Sequence, residues 1–398
     1  MVTVHERLCP EQLRIGERRD AAVAAFYMPV KIFAEEDAVQ RHAPALSAFG
    51  RNALIVTGRH SSRVNGALDD VLLALRQCGI SYAVFDRVEE NPSVSTVMEA
   101  RDYGLEQGAD FVIGIGGGSP LDAAKAVALM MRHPERDRSY LYLNPEQGNS
   151  GHENGSEHLP VVAVPTTGGT GSEATGVSVL TDPVRQVKKS IPHRIFPALA
   201  LVDGKYLRSA PDNVLACTAF DALTHLIESW LNSKADSFSR MLADSGLRQW
   251  ALSLPVFRGK TPDDTDYTNM MCASAMAGMA IAQTGTSIPH GLSYPLTVRL
   301  GIPHGKAVSC FMAGYLMASP SDLRLHLLKE AGFSDLEDFQ NVLHDACGEV
   351  KADPVLLKAV LEEAEEGIAS NSAKMKAAPF PVDRDILHRI VWYEFWRR

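Results

Sequence analysis

Closely spaced cysteines are missing: the six, at positions 9, 78, 217, 272, 310 and 347, form no CxxC pair and no regular framework. That argues against a disulfide scaffold or a thiolate zinc motif and fits reduced thiols in a cytoplasm. Basic runs are missing too. The net charge is −9 and the Lys and Arg residues are dispersed, so neither nucleic acid nor an anionic membrane is an indicated partner. The most apolar window, NMMCASAMAGMAIA at 269–282, is too short to cross a bilayer and reads as a buried helix. The opening MVTVHERLCPEQLRIGERRD lacks the apolar stretch of a secretory signal.

What the chain does have is length and core. Its 398 residues are 45% hydrophobic, enough for two globular domains. Residues 1–25 are polar and carry no legible chemistry, as a lid, an arm or a disordered lead. From Met28 an extended segment, MPVKIF, precedes a helical stretch to Phe49. Strand-like ALIVTG (53–58), SYAVFD and DFVIGIGGG (110–118) then alternate with helix-like ALDDVLLALRQCG (67–79), SVSTVMEARDYGLEQG and PLDAAKAVALMM (120–131). Such alternation predicts βαβ units and a parallel sheet. A polar loop at 143–158 leads to the buried strand PVVAVP (160–165). VSVLTD, a basic turn at Lys188-Lys189 and ALALVDG (198–204) read as further sheet elements. Beyond Leu207 helical periodicity dominates, which divides the chain into an α/β domain at 1–205 and an all-α domain at 206–398.

Two Gly-rich loops follow strands. Gly114-Ile-Gly116-Gly117-Gly118-Ser119-Pro120 joins a strand to a helix, with Ser119 as the expected N-cap and Pro120 as the first helical residue. Backbone N–H groups there suit a phosphate, although the spacing departs from GxGxxG and Gly is equally the default for tight turns. PTTGGTGSE at 165–173 is the second loop. In a parallel sheet the two converge on the carboxyl edge, where such folds bind ligands.

A separate constellation lies downstream. In TSIPHGLSYPLTVRLGIPHG (286–305) the tripeptide Pro-His-Gly occurs twice, at His290 and His304, and FDALTHLIESW (220–230) places Asp221 and His225 at i and i+4 on one helix face. One Asp and three His suit a divalent metal such as Fe²⁺ or Zn²⁺. Each His also reads as a buried imidazole that binds nothing, and the Pro and Gly as loop punctuation.

With these motifs in order, GGGSPLDAAK, PTTGGTGSE, FDALTHLIESW, SIPHGLSYPLT and GIPHGKA, the chain resembles the iron-containing (group III) alcohol dehydrogenase family over about residues 28–390. The resemblance implies a Rossmann-like α/β domain, a helical domain, a dehydroquinate synthase-like architecture and a homodimer. It implies metal ligands at Asp221, His225, His290 and His304. It puts the pyrophosphate at Gly117, Gly118, Ser119 and Asp122, and the nicotinamide side at Thr166, Thr167, Thr170 and Ser172. Lys188 or its neighbour Lys189 falls near a ribose, and Gly58, Ser61 and Asn91 complete the expected cofactor set. The activity implied is hydride transfer between NAD(P)H and a small aldehyde or primary alcohol.

Three positions depart from the family's pattern. Gly168 stands where many members have Ala. Tyr294 stands where many carry a further His linked to proton transfer, so Tyr294, a metal-bound water and the cofactor ribose are all candidate proton donors. NAD-preferring members commonly place Asp after the first strand of the βαβ run. Here the segment is Gly58-Arg59-His60-Ser61-Ser62, which leads us to expect NADPH to be accepted. The SYPLTVRLGIPHGKAV stretch also resembles reductases of anionic aldehydes such as phosphonoacetaldehyde, with Arg194, Arg299 or Lys306 as the anion's partner. A non-redox lyase of the dehydroquinate synthase type and a catalytically idle binding protein are the readings from other classes.

Overall fold

The computed structural model describes residues 24–145, 157–182 and 187–393. Most of the polar lead at 1–25, most of the loop at 143–158 and Cys9 lie outside the described residues. Six strands, β1 (Lys31–Ala34), β2 (Asn52–Thr57), β3 (Ser81–Phe85), β4 (Phe111–Gly116), β5 (Val161–Pro165) and β8 (Leu199–Val202), form one parallel sheet ordered β1-β8-β5-β4-β2-β3. Period-2 alternation sends Leu54, Val56, Val112 and Val161 into one core and Ala53, Ile55, Ile113 and Val162 into another. A parallel sheet covered on both faces needs apolar side chains at every position, hence the unbroken hydrophobic runs. The chain steps outward from β2 to β3 and then returns to the other side of β2 as β4, so the order reverses between β2 and β4. The carboxyl ends there, at Gly58 and Gly117, flank the crevice where such sheets take ligands.

The helices of this half are α1 (Ala38–Arg41), α2 (Ser61–Val64), α3 (Ala67–Gln77), α4 (Val94–Glu106) and α5 (Gly118–Arg132). Ser93 caps α4 by accepting from Thr96 N at 3.1 Å. Two expectations are corrected. Helix α5 starts at Gly118 with Gly117 as its N-cap, so Ser119 and Pro120 are its second and third residues. The Ser119 hydroxyl is thereby freed from capping and accepts from Asn91 N at 3.1 Å. Lys188 and Lys189 lie in a strand rather than a turn: β7 (Val187–Ser190) pairs antiparallel with β6 (Val179–Asp182) as a two-stranded sheet apart from the main one.

After β8 the described chain is helical: α6 (Asp212–Trp230), α7 (Ser237–Ala251), α8 (Leu254–Phe257), α9 (Asp264–Thr284), α10 (Ile288–Leu300), α11 (His304–Ala318), α12 (Ser321–Glu330), α13 (Leu336–Cys347), α14 (Pro354–Ala369), α15 (Ser372–Met375) and α16 (Arg384–Trp392). The apolar window at 269–282 is the buried middle of α9. Helix α6 is buried at all but one position from Leu215 to Trp230 and packs against α7, α9, α11 and α13. A helix so enclosed reads as apolar all round. Its buried carboxylates and imidazole, Asp221, Glu228 and His225, are therefore the informative residues.

Candidate functional site

Asp221, His225 and Glu228 follow one another at i, i+4 and i+7, which puts all three on one face of α6. The two Pro-His-Gly tripeptides bring the other imidazoles to that face from helix starts, not from loops. Pro289 is the second residue of α10 and His290 the third, while Pro303 precedes α11 and His304 is its first residue. The glycine of the second tripeptide is dictated by packing. A Cβ on Gly305 would collide with Cys217 O and lie 2.9 Å from Asp221 Cβ, so glycine is what lets α11 approach α6 closely enough for His304 to reach Asp221.

One donor atom each from Asp221, His290 and His304 lies within 4.8 Å of the others, with His290 Nε2 3.6 Å from Asp221 Oδ1. Asp221 Oδ1, His290 Nε2 and His304 Nδ1 are buried atoms with no hydrogen-bond partner. An unsatisfied buried polar atom costs about 1–3 kcal/mol, so three together need an occupant. A divalent cation fits that donor set. The fourth expected ligand, His225, is not within this trio. Its ring stacks on that of His290 with centroids 4.2 Å apart, and its Nδ1–H donates to Gly169 O at 3.3 Å, which leaves Nε2 as the lone-pair nitrogen.

Glu228, which the sequence reading passed over, organises His290. Its carboxylate accepts from Ser287 N at 3.0 Å, His290 N at 2.9 Å and His290 Nδ1 at 2.7 Å. With Nδ1–H so engaged, Nε2 is the atom turned toward Asp221, the arrangement by which carboxylates set the tautomer of ligating imidazoles. The i+7 spacing from Asp221 was the available signal. Burial holds His225 near 4 and His304 near 3, so both are neutral imidazoles at pH 7. Burial opposes charge on His290 as well, but the Glu228 and Asp221 carboxylates outweigh it and raise His290 to about 9. Burial also opposes charge on Asp221, yet the surrounding imidazoles hold its carboxyl far below the usual range. Tyr294 lies one turn beyond His290 on α10, its ring parallel to that of His304 with centroids 6.0 Å apart. Burial, then the Glu228 and Asp221 charges, push its phenol up to about 12.

Gly169 O, the acceptor of His225 Nδ1–H, belongs to the second of the two Gly-rich loops, and the two loops meet. A Cβ on Gly117 would lie 2.8 Å from Thr167 Oγ1, and one on Gly118 2.8 Å from Thr170 Cγ2. Only glycine lets the two strand ends close on each other. The first turn of α5 carries no acid, so its N–H groups offer an anion site. Thr166 extends the edge from the end of β5, its N bonded to Gly116 O at 2.9 Å. Asp122 and Ser172 have protein partners: Ser172 Oγ donates to Asp122 Oδ1 at 2.6 Å, and Val179 N to Asp122 Oδ2 at 2.9 Å. Lys125, also missed from sequence, is fully buried and donates to Ser172 Oγ at 2.7 Å and Val177 O at 2.8 Å. Lys188 reaches from β7 to Asn91 Oδ1 at 2.7 Å, which tethers the hairpin to the β3–α4 connection. Gly58 follows β2 and stands beside exposed Arg59, His60 and Ser61.

This architecture, a six-stranded parallel sheet with two glycine loops at its carboxyl edge followed by a helical half that holds a buried carboxylate and imidazoles, is the dehydroquinate synthase-like fold. Residues 29–204 match the family described as iron-containing alcohol dehydrogenase, and residues 215–348 match the C-terminal region of the Fe-containing alcohol dehydrogenase family. The chain belongs to the iron-containing alcohol dehydrogenase family. It is 36% identical over 235 residues to a probable alcohol dehydrogenase, EutG, of Salmonella typhimurium, an alignment spanning 59% of this chain and 58% of that protein. It is 31% identical over 267 residues, 66% of each chain, to the NADPH-dependent butanol dehydrogenase of Clostridium saccharobutylicum. An iron-containing alcohol dehydrogenase from Thermotoga maritima superposes with a TM-score of 0.81 at 34% identity, over 94% of this chain and 99% of that one.

Proposed function

We propose that the protein is a metal- and NAD(P)-dependent alcohol dehydrogenase that transfers a hydride between the nicotinamide and a small aldehyde or primary alcohol. The observation that carries this reading is the set of unpartnered buried atoms on Asp221, His290 and His304, in a cluster whose His225 Nδ1 reaches Gly169 O of the second glycine loop at the carboxyl edge of the sheet. Asp221, His290 and His304 would hold Fe²⁺ or Zn²⁺, with His225 Nε2 as the fourth donor. When bound, such an ion supplies Lewis acidity toward the substrate oxygen.

The chain's own residues do the rest. Gly117, Gly118 and Ser119 at the start of α5 bind the pyrophosphate, over the Asp122–Ser172–Lys125 support. Thr166, Thr167 and Thr170 border the nicotinamide, while Lys188 with Asn91 faces a ribose. Gly58 and Ser61 border the adenosine ribose. The absence of a carboxylate at Gly58, with Arg59 next to it, favours acceptance of a 2′-phosphate and hence of NADPH. Tyr294 holds its proton at neutral pH and stands beside His304, so it is our choice of proton donor in aldehyde reduction. The crevice lies between residues 1–205 and 206–398, which we treat as the two domains.

A neutral substrate is favoured over an anionic aldehyde. Arg299 pairs with Glu363 at 3.3 Å, both well exposed, and Lys306 donates to Glu349 O at 2.7 Å. Arg194 lies close enough to Lys125 of the cofactor support to disfavour its charge. The test is NADPH oxidation by anaerobically Fe²⁺-loaded protein with butyraldehyde, 3-hydroxypropionaldehyde and phosphonoacetaldehyde in parallel, repeated for His290→Ala. Turnover of the neutral aldehydes that falls in the variant supports the reading. Preference for phosphonoacetaldehyde would restore the anionic one, and no cofactor oxidation with any of the three aldehydes would restore the lyase.

A further inference from the structure

Beyond α13 the chain runs past residue 348, where the family match ends, and returns to the imidazole cluster. Helix α14 packs against α10, and the short α15 follows, capped by Asn371, whose Oδ1 accepts from Lys374 N at 3.1 Å. The Lys374 side chain then extends toward the turn before α10. Its Nζ donates to Thr286 O at 3.2 Å, Thr286 Oγ1 at 3.4 Å and Ser287 O at 3.1 Å. An ammonium has three protons, and three acceptors on these two residues lie within hydrogen-bond distance of it.

The same turn supplies the donors that fix Glu228. Ser287 N and His290 N bond its two carboxylate oxygens, and His290 Nδ1 bonds Oε2. The carbonyl side of residues 286–287 is thus held by Lys374, while the amide side leads to Glu228 and His290. Packing reinforces the contact: a Cβ on Gly291, the residue after His290, would collide with Ile368 Cδ1 of α14 and lie 3.8 Å from Lys374 Cδ. The first turn of α10 therefore sits directly on the α14–α15 segment. Glu228 is a buried anion, and Lys374 is a cation placed to offset it across the turn.

We propose that Lys374 is a positioning residue for the metal centre, holding the 286–287 turn so that Glu228 presents His290 Nε2 to the cation. It touches neither substrate nor cofactor and acts only through Glu228 and His290. The inference rests on the metal-binding reading above, and its readout is metal affinity rather than turnover.

The experiment is Zn²⁺ titration of metal-free full-length protein against a chromogenic chelator for wild type, Lys374→Met, Glu228→Gln and the double variant. Thermal unfolding of each metal-free protein controls for folding. We expect the Lys374→Met dissociation constant to rise on the order of tenfold, and the double variant to lose little more than Glu228→Gln alone, because groups acting in one chain are not additive. Activity at saturating metal should return toward wild type, since the chemistry itself is untouched. A Lys374→Met affinity within about twofold of wild type would overturn the proposal, as would full additivity in the double variant. Should the Met variant fail to fold, Lys374→Gln, which keeps donors but not charge, is read against the same two limits. Wild-type protein that takes up no Zn²⁺ sinks the metal reading itself, an outcome distinct from wild-type binding that Lys374→Met leaves intact.

Discussion

Glu228 Oε2 accepts the Nδ1 hydrogen of His290 at 2.7 Å, between side chains that are almost wholly removed from solvent. Removing the carboxylate leaves three donors unanswered in a buried site. Glu228→Ala is expected to weaken metal retention by roughly 10- to 100-fold, with Glu228→Gln milder because an amide oxygen still accepts. Metal content after dialysis against a weak chelator checks this, and undiminished metal in the Ala variant would refute it.

Gly58 is outside the left-handed region, and a Cβ there would meet only Val88 O, at an ordinary 3.5 Å. An aspartate is therefore tolerated by the backbone. Gly58→Asp should lower kcat/KM for NADPH by at least roughly tenfold through like-charge repulsion while leaving NADH turnover equal or better. An unchanged NADPH-to-NADH ratio would show that the 2′-phosphate lies elsewhere.

Tyr294→Phe removes the phenolic proton and little else. If Tyr294 gives its proton to the substrate, kcat for aldehyde reduction falls by about tenfold or more, with metal content and unfolding temperature unchanged. A variant with wild-type kcat would leave the tyrosine as packing for His304.

Gly305→Ala probes the approach of α11 to α6. Its methyl group meets Cys217 O with no flexible side chain to yield. Overpacking of this kind costs about 1–3 kcal/mol, so the unfolding midpoint should fall, and metal affinity with it as His304 moves away from Asp221. A stable, fully metal-loaded Ala variant would contradict the packing described for the second Pro-His-Gly.

Glu173 is buried with its Oε1 unpartnered, and burial raises its carboxyl from an ordinary 4.5 to about 7. Below pH 4.5 it is protonated in both folded and unfolded chains and makes no difference. As pH rises from 4.5 toward 7 the unfolded chain ionises first, so its contribution to stability falls by about 3 kcal/mol. Glu173→Gln should lack this fall. Urea unfolding at pH 5 and pH 7 measures it, and parallel pH profiles for the two proteins would be the contrary result.

Much of the fold was legible because the strands from Ala53 to Val164 are continuous apolar runs between helical periods, and a two-faced parallel sheet demands that pattern. Where local signals failed, longer-range partners had taken over. Ser119 looked like an N-cap, but its hydroxyl is used by Asn91 N, 28 residues away. Lys188 looked like turn chemistry until β6 and β7 paired. Among the site residues, Asp221, His290 and His304 were readable as types in a motif, and the fold brings them together. Glu228 and Lys125 are charged residues inside helices, where sequence offers burial no signal other than spacing. Lys374 offers none: its role depends on a chain reversal 88 residues from Thr286.

The three donors that converge come from α6, α10 and α11, separated by 69 and 14 residues along the chain (290 − 221 and 304 − 290). A cation there would act as a cross-link between distant parts of the helical half, so retention of the ion and retention of the fold become one equilibrium. By mass action, free metal at a hundred times its dissociation constant adds about 2.7 kcal/mol to stability. Metal supply would then set how long the protein survives proteases as well as how fast it turns over, with starved molecules removed before they accumulate as inactive enzyme.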